Sequence, residues 1–280
     1  MSAASKPNRA DRLSVGLAGF GNVGQDLAGR LAGGAIPEID LVAASARDLA
    51  KAAIAAAAIA PSLRIVPLAE LPSLVDVVVE CATADSFPQI ARAVLTAGKY
   101  LIAVSAGGVP NCPEMMSLAR THGGRVRIAS GALPGLDILR CAREGQINSV
   151  FLKSRIKPGS MAHEPYVLER GFDFARHPPT EAVKIFDGSA GEAAAAFPRH
   201  FNVAVALSLG GIGFDRTRVE VWVDPDIGGA IHNVEVDAED IALSMISRNR
   251  PSANPRTSRI VAPSILAALR GLISPVIVGS

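Results

Sequence analysis

The sequence predicts an α/β protein: a Rossmann-type parallel-sheet domain, then a second α/β domain with a mixed, open-faced sheet. Three observations predict it. Short apolar runs alternate with helix-spaced segments at close intervals from residue 13 to 130. A glycine-rich turn joins the first run to the first helical segment. In the second half, apolar and polar residues alternate singly, the pattern of strands that bury one face only.

LSVGLAGF, from Leu13, is too short for a helix and ends in glycines, so it reads as a buried strand. Residues 22–33 put Val23, Leu27 and Leu31 on one helical stripe. IDLVAAS (39–45) is a second strand. The alanine-rich DLAKAAIAAAAIA (48–60) is a helix stopped at Pro61. Arg64–Val66 reads as a third strand, and DVVVECAT (76–83) as a fourth. PQIARAVLTAG (88–98) is a helix with Gly98 as its stop signal. YLIAVSAGG (100–108) and RVRIAS (125–130) complete the parallel set. Farther on, SVFLKSRIKP (149–158), TRVEVWVDP (217–225) and HNVEVDAED (232–240) alternate with period two. Between them, 189–211 reads as two helices broken at Pro198, the first opened by a Ser189/Glu192 capping box. Residues 258–273 form a last helix despite Pro263. The expected organisation is a disordered leader (1–12), a dinucleotide-binding domain (13–133), a catalytic and dimerisation domain (134–257) and a C-terminal helix (258–280) that returns to the first domain.

Composition excludes several classes. Of 280 residues, 49% are hydrophobic, ample for the cores of two domains. Twenty-eight basic and 26 acidic residues leave +2 with no block of like charge, so no nucleic-acid partner is expected. No apolar run approaches the ~20 residues of a membrane span. The polar N-terminus shows no secretory signal. Three scattered cysteines suit a reducing compartment, and the expected location is the cytoplasm. The histidines lack metal-ligand spacing, so no metal is expected.

Gly19-Phe20-Gly21-Asn22-Val23-Gly24 fits G-x-G-x-x-G, follows a predicted strand and opens a predicted helix. Gly19 permits the tight turn, Gly21 leaves room for a pyrophosphate, and Gly24 lets helix and strand pack closely. The amides of Asn22 and Val23, at the helix N-terminus, complete the phosphate site. An acid at the tip of the second strand would select NAD through its ribose hydroxyl. Ser45 and Arg47 stand there instead and suit a 2′-phosphate, so NADP is favoured over NAD. The plainer reading leaves Arg47 in solvent and makes Asp48 a helix cap.

Ligands of open α/β sheets bind beyond the carboxyl ends of the strands. Here those ends are Ala82 and Thr83, Ser105 to Gly108, and Ser130 to Ala132. Among the histidines, His232 opens a strand after the turn Asp-Pro-Asp-Ile-Gly-Gly, where it could project into a cleft as an acid–base group.

The glycine loop, ASGALPGLD (129–137), KIFDGSAGEAAAAFP (184–198), NVAVALSLGG (202–211), VDPDIG (223–228), His232 and NRPSANPRTS (249–258) occur in an order that resembles the L-aspartate dehydrogenase family, from about residue 13 to the C-terminus. The resemblance implies oxidative deamination of L-aspartate by NAD or NADP, through iminoaspartate to oxaloacetate and ammonia, or the reverse. It also implies a second domain whose open-faced sheet supports dimerisation. Family cofactor contacts fall on Ala132 and Asn202, and the active-site histidine on His232. Arg155 and Lys157 resemble a basic pair that either neutralises substrate carboxylates or faces solvent. Asn202 has its own alternative as a helix cap after Pro198.

Three positions depart from the family. Ala230 stands for an asparagine, Asn233 for a glutamate and His200 for an asparagine. They bear on whether aspartate itself, or a related dicarboxylic amino or imino acid, is the substrate. Two other readings compete: an imine reductase of the dihydrodipicolinate type, whose adjacent histidines and nearby lysine are absent here, and a non-catalytic NADP-binding sensor. A homodimer is expected, with Val219, Val221 and Val223 on a face that one subunit leaves partly uncovered.

Overall fold

The computed structural model describes residues 12–198, 200–250 and 258–279. By its contacts the chain divides into two units. One ends at Ala129 and takes back Ala262–Ile277; the other begins at Ser130 and runs to Val261, joined by Val278 onward.

The first unit follows the alternation of its sequence. In chain order it contains β1 (Leu13–Ala18), α1 (Asn22–Ala32), β2 (Ile39–Ser45), α2 (Leu49–Ile59), β3 (Arg64–Ile65), β4 (Val77–Glu80), α3 (Phe87–Thr96), β5 (Tyr100–Ala103), α4 (Met115–His122) and β6 (Arg125–Ile128). The sheet order is β3-β2-β1-β4-β5-β6, and every pair is parallel. Strands covered on both faces read as continuous apolar runs, and Val77, Val78 and Val79 are all buried. The chain winds outward from β1 to β3, then returns to lay β4 against the other side of β1. That reversal makes the β1/β4 crevice the switch point of the sheet.

Some local expectations shift. The strand expected over 100–108 stops at Ala103, and Ala106–Asn111 is a 3₁₀ segment. Two glycines and Pro110 cannot sustain a ladder there. Gly108 also packs so closely that an added Cβ would lie 2.4 Å from Cβ of Phe87. Helix α4 escaped the apolar spacing because only Met115 in it is buried. Most of the expected leader lies outside the described residues. Arg12, which was counted with it, is anchored: its guanidinium pairs with Asp40 at 2.6 Å and donates to the Pro37 carbonyl.

The second unit contains α5 (Leu136–Ala142), β7 (Ile147–Ile156), α6 (Pro158–Met161), α7 (Pro165–Glu169), β8 (Val183–Ser189), α8 (Ala190–Ala196), α9 (Asn202–Gly210), β9 (Thr217–Val223), β10 (Ile231–Ala238) and β11 (Ala242–Arg248). Its sheet order is β11-β10-β7-β9-β8, with β7–β9 parallel and the other pairs antiparallel. The capping box forms: Ser189 Oγ accepts from the Glu192 amide, and Glu192 accepts from the Ser189 amide at 2.7 Å. Strand β11 was not anticipated, because as an edge strand it alternates only between half-buried and exposed.

One expectation is reversed. Val219, Val221 and Val223 are fully buried on the covered face of the sheet. Their partners there are Leu152, Ser154 and Ile156 of β7. The open face carries the intervening residues Lys153, Glu220 and Trp222, with Lys153 Nζ 4.4 Å from the Trp222 ring centroid.

Helix α10 (Val261–Ile273) tolerates Pro263 because it lies in the first turn, where no intrahelical donor is lost. Arg270 anchors the helix in the first unit by donating to the Ala35 carbonyl at 2.7 Å.

Candidate active site

Each glycine of the first turn occupies a different steric situation. Gly19 has φ +111°, which L side chains rarely adopt, and an added Cβ would lie 2.6 Å from the Cys81 carbonyl. A Cβ on Gly24 would lie 2.3 Å from the Gly19 carbonyl oxygen. A Cβ on Gly21 would meet nothing within 4 Å. Two of the glycines are therefore required by the protein's own packing. The third faces open space beside the N-terminus of α1, where no side chain caps the helix and no acid stands in the first turn. Free amides, a partial positive charge and room for a ligand are what a pyrophosphate needs, so the residues present fit a dinucleotide.

Ser45, the last residue of β2, is buried, and its carbonyl accepts the Gly19 amide at 2.8 Å. Arg47 is exposed, and Asp48 caps α2 by accepting the Lys51 amide. Ala82 follows β4, with its amide 2.7 Å from where a Gly19 Cβ would be. Gly19, Gly21, Asn22, Val23, Gly24, Ser45, Arg47 and Ala82 thus all border the carboxyl ends of β1, β2 and β4.

One residue here was missed by sequence reasoning. Glu80, the last residue of β4, is wholly buried. Its carboxyl accepts from the amides of Ala82, Val104 and Ser105. Burial pushes its pKa up against those three hydrogen bonds. The signal was present: Glu80 is the one charged side chain inside the run Val77 to Cys81.

The other predicted residues belong to the second unit. Ala132 lies in the turn before α5, and Asn202 is the first residue of α9. His232 is on β10, paired with Ser154 of β7 and Ser247 of β11. It points to the covered face, 6% exposed, with Nδ1 3.0 Å from Ser154 Oγ. Burial pushes its pKa down to about 4, so the ring is neutral at neutral pH. Ser154 engages Nδ1, and Nε2 is the ring's other nitrogen.

The end of the sheet that bears His232 also bears the carboxyl ends of β7 and β9. Arg155 there pairs with the buried Asp224. Its charge is already matched, whereas Lys157, the other member of the basic pair, is exposed and has no ion pair among the described residues. His200 donates to or accepts from Glu164 at 2.8 Å, with both side chains mostly buried. Asn249 is held to the Ala230 carbonyl and to Ser258, and only a glycine at 229 lets its backbone approach that closely. Residues 251–257 of the motif that ends at Ser258 lie outside the described residues.

Residues 19–129 match the homoserine dehydrogenase NAD-binding domain family, and residues 137–272 match the family described as aspartate dehydrogenase, C-terminal. The chain is 42% identical over 270 residues to L-aspartate dehydrogenase 3 of Bordetella bronchiseptica, covering 96% of this chain and 98% of that protein. It is 36% identical to L-aspartate dehydrogenase of Bradyrhizobium diazoefficiens, covering 97% and 95%. The crystal structure of aspartate dehydrogenase from Thermotoga maritima superposes with a TM-score of 0.74 at 24% identity, covering 96% of this chain and all of that one. With likeness running through both units at this identity, the chain belongs to the L-aspartate dehydrogenase family.

Proposed function

We propose that the protein catalyses NAD(P)-dependent oxidative deamination of L-aspartate to oxaloacetate and ammonia, and the reverse amination. The observation that carries this reading is the likeness to L-aspartate dehydrogenases over nearly the whole chain. The cofactor, when bound, accepts hydride from Cα of the amino acid. The protein's own groups do the rest. The free amides of α1 and the space at Gly21 hold the phosphates; Ala132 and Asn202 are proposed as further cofactor contacts. Ser45 and Arg47 favour NADP, since no carboxylate at the tip of β2 repels a 2′-phosphate.

His232 is the proposed acid–base group. A neutral imidazole is a base, so Nε2 takes a proton from the water that adds to the imine carbon. The imidazolium so formed returns that proton to the departing amine, and ammonia leaves as the remaining hydroxyl gives up its proton and becomes the carbonyl. Ser154 holds the ring in orientation through Nδ1. Lys157 is the candidate partner for a substrate carboxylate. The proposed assembly is a homodimer in which the open face of the second sheet meets its copy. The half-buried Trp222 and Phe151 and the exposed Ile246 on that face are apolar surface for such a contact.

The decisive experiment follows NADPH and NADH oxidation with oxaloacetate plus ammonium, against pyruvate and 2-oxoglutarate. Oxaloacetate should be preferred. Preference for another 2-oxo acid would reassign the substrate and point to Ala230, Asn233 and His200 as the cause.

A further inference from the structure

We propose that Glu80 is a positioning residue that ties the ends of β4 and β5 into one platform for the nicotinamide half of the dinucleotide. The inference rests on the dinucleotide-binding reading of the glycine turn and adds the residue that shapes the other half of that site.

The geometry is a closed ring of hydrogen bonds. One carboxyl oxygen of Glu80 accepts the Ala82 amide at 2.7 Å. The other accepts the amides of Val104 at 3.1 Å and Ser105 at 2.7 Å. Ser105 Oγ then donates to the Ala82 carbonyl at 2.9 Å. Backbone amides just past the end of a parallel strand have lost their ladder partners and ordinarily turn to water. Here a single side chain from inside the sheet satisfies three of them, on two different strands. Both oxygens are used as acceptors, which is the hydrogen-bonding pattern of a carboxylate.

Burial opposes that charge and pushes the carboxyl pKa up. An apolar side chain at the end of β4 would leave those three amides without this partner, so the role of the carboxyl is to fix both strand ends. The direction of the cofactor identifies that role. In an open sheet the dinucleotide crosses at the switch point, with its pyrophosphate on the first βα turn and its adenosine ribose beside the second strand. The nicotinamide half must then extend the other way, over the ends of β4 and β5. Those are the two ends that Glu80 joins. The platform also abuts the glycine turn, since Gly19 leaves no room for a Cβ against Cys81 and Ala82.

The test compares whole dinucleotides with fragments that lack nicotinamide. Calorimetry would measure NADP+ against 2′-phospho-ADP-ribose, and NAD+ against ADP-ribose, on the wild type and on Glu80→Gln. Glutamine keeps the shape but offers one acceptor oxygen and turns an NH2 toward the remaining amides. Binding of the whole dinucleotide should weaken by about tenfold or more, while the fragment stays within about threefold. Equal loss of both, or loss of neither, would overturn the proposal, because a merely structural residue cannot separate the two halves. Should Glu80→Gln not fold, by circular dichroism, Ser105→Ala removes only the hydroxyl tie. It should weaken the whole dinucleotide by about fivefold and leave the fragment within about 1.5-fold, and a uniform or absent effect again overturns it. A wild type that binds neither whole dinucleotide nor fragment sinks the underlying reading and this proposal with it.

Discussion

Gly21 and Gly24 stand three residues apart in one turn and answer to different constraints. Gly24 is required by the fold, since a Cβ would strike a backbone carbonyl that cannot move aside. Gly24→Ala should cost about 1–3 kcal/mol or more, the range for overpacking, read from denaturant midpoints. Gly21 sits at the N-cap with φ −80°, in open space. Gly21→Ser should therefore hold or slightly raise stability, since serine is a good N-cap. It should also abolish dinucleotide binding by filling the ligand's space. Loss of stability in Gly21→Ser with binding retained would mean the space serves no ligand.

His232 gives two expectations. As the proposed acid–base group, its replacement in His232→Ala should lower kcat by about 10²–10⁴, with kcat/KM falling alongside and cofactor affinity hardly changed. His200→Ala is the control and should keep more than about a third of wild-type turnover, a difference under 1 kcal/mol. The reverse ranking would mean that the His200–Glu164 pair carries the proton transfer. The second expectation concerns stability. With a pKa of about 4 in the fold against 6.5 ordinarily, the unfolded chain binds a proton that the native state refuses. Stability from this group is complete above pH 6.5 and is lost as pH falls toward 4, by about 3 kcal/mol on the linkage relation. Tm measured from pH 7 to 4.5 should fall less steeply in His232→Gln than in the wild type.

At the scale of elements, the proposed preference for NADP belongs to the connection from β2 to α2. Its two polar features separate cleanly in the structure: Asp48 is consumed as the cap of α2, while Arg47 is exposed. Arg47→Ala should weaken NADP+ binding by about 1–3 kcal/mol, the range for a charge-assisted hydrogen bond, and leave NAD+ nearly unaffected. Clear NAD+ preference in the wild type would refute the assignment. The β7–β10 pairing is the other element with a functional consequence. Register places His232 opposite Ser154, and a slip of one residue would turn the imidazole to the open face.

For the whole molecule, the proposed dimer rests on the open face of the second sheet, which differs from the face that strand alternation first suggested. Light scattering at micromolar concentration should give twice the chain mass of 28.9 kDa. A monomer there would refute it. Any charge substitution meant to split the dimer belongs at Ile246, 44% exposed, because the valines of β9 are core.

Much of this molecule was legible in the amino-acid order because the signals involved are local. A glycine turn after an apolar run, a proline that stops an alanine helix, and a Ser–x–x–Glu box each act within a few residues. Period-two alternation in β9 showed that one face would be buried, and it is. Which face stays open depends on where α8 and α9 pack, and local periodicity cannot see that. The same holds for chemistry. His232 could be singled out as a residue, but its neutrality comes from desolvation and its orientation from Ser154, 78 positions earlier in the chain. Arg155 reads from sequence as either a carboxylate partner or a solvent-facing residue; its partner is Asp224, 69 positions later. Glu80 stood in plain view as an acid inside an apolar strand. Two of its three partners lie just past the end of β5, more than twenty residues onward, and only the parallel pairing of β4 with β5 makes them its partners.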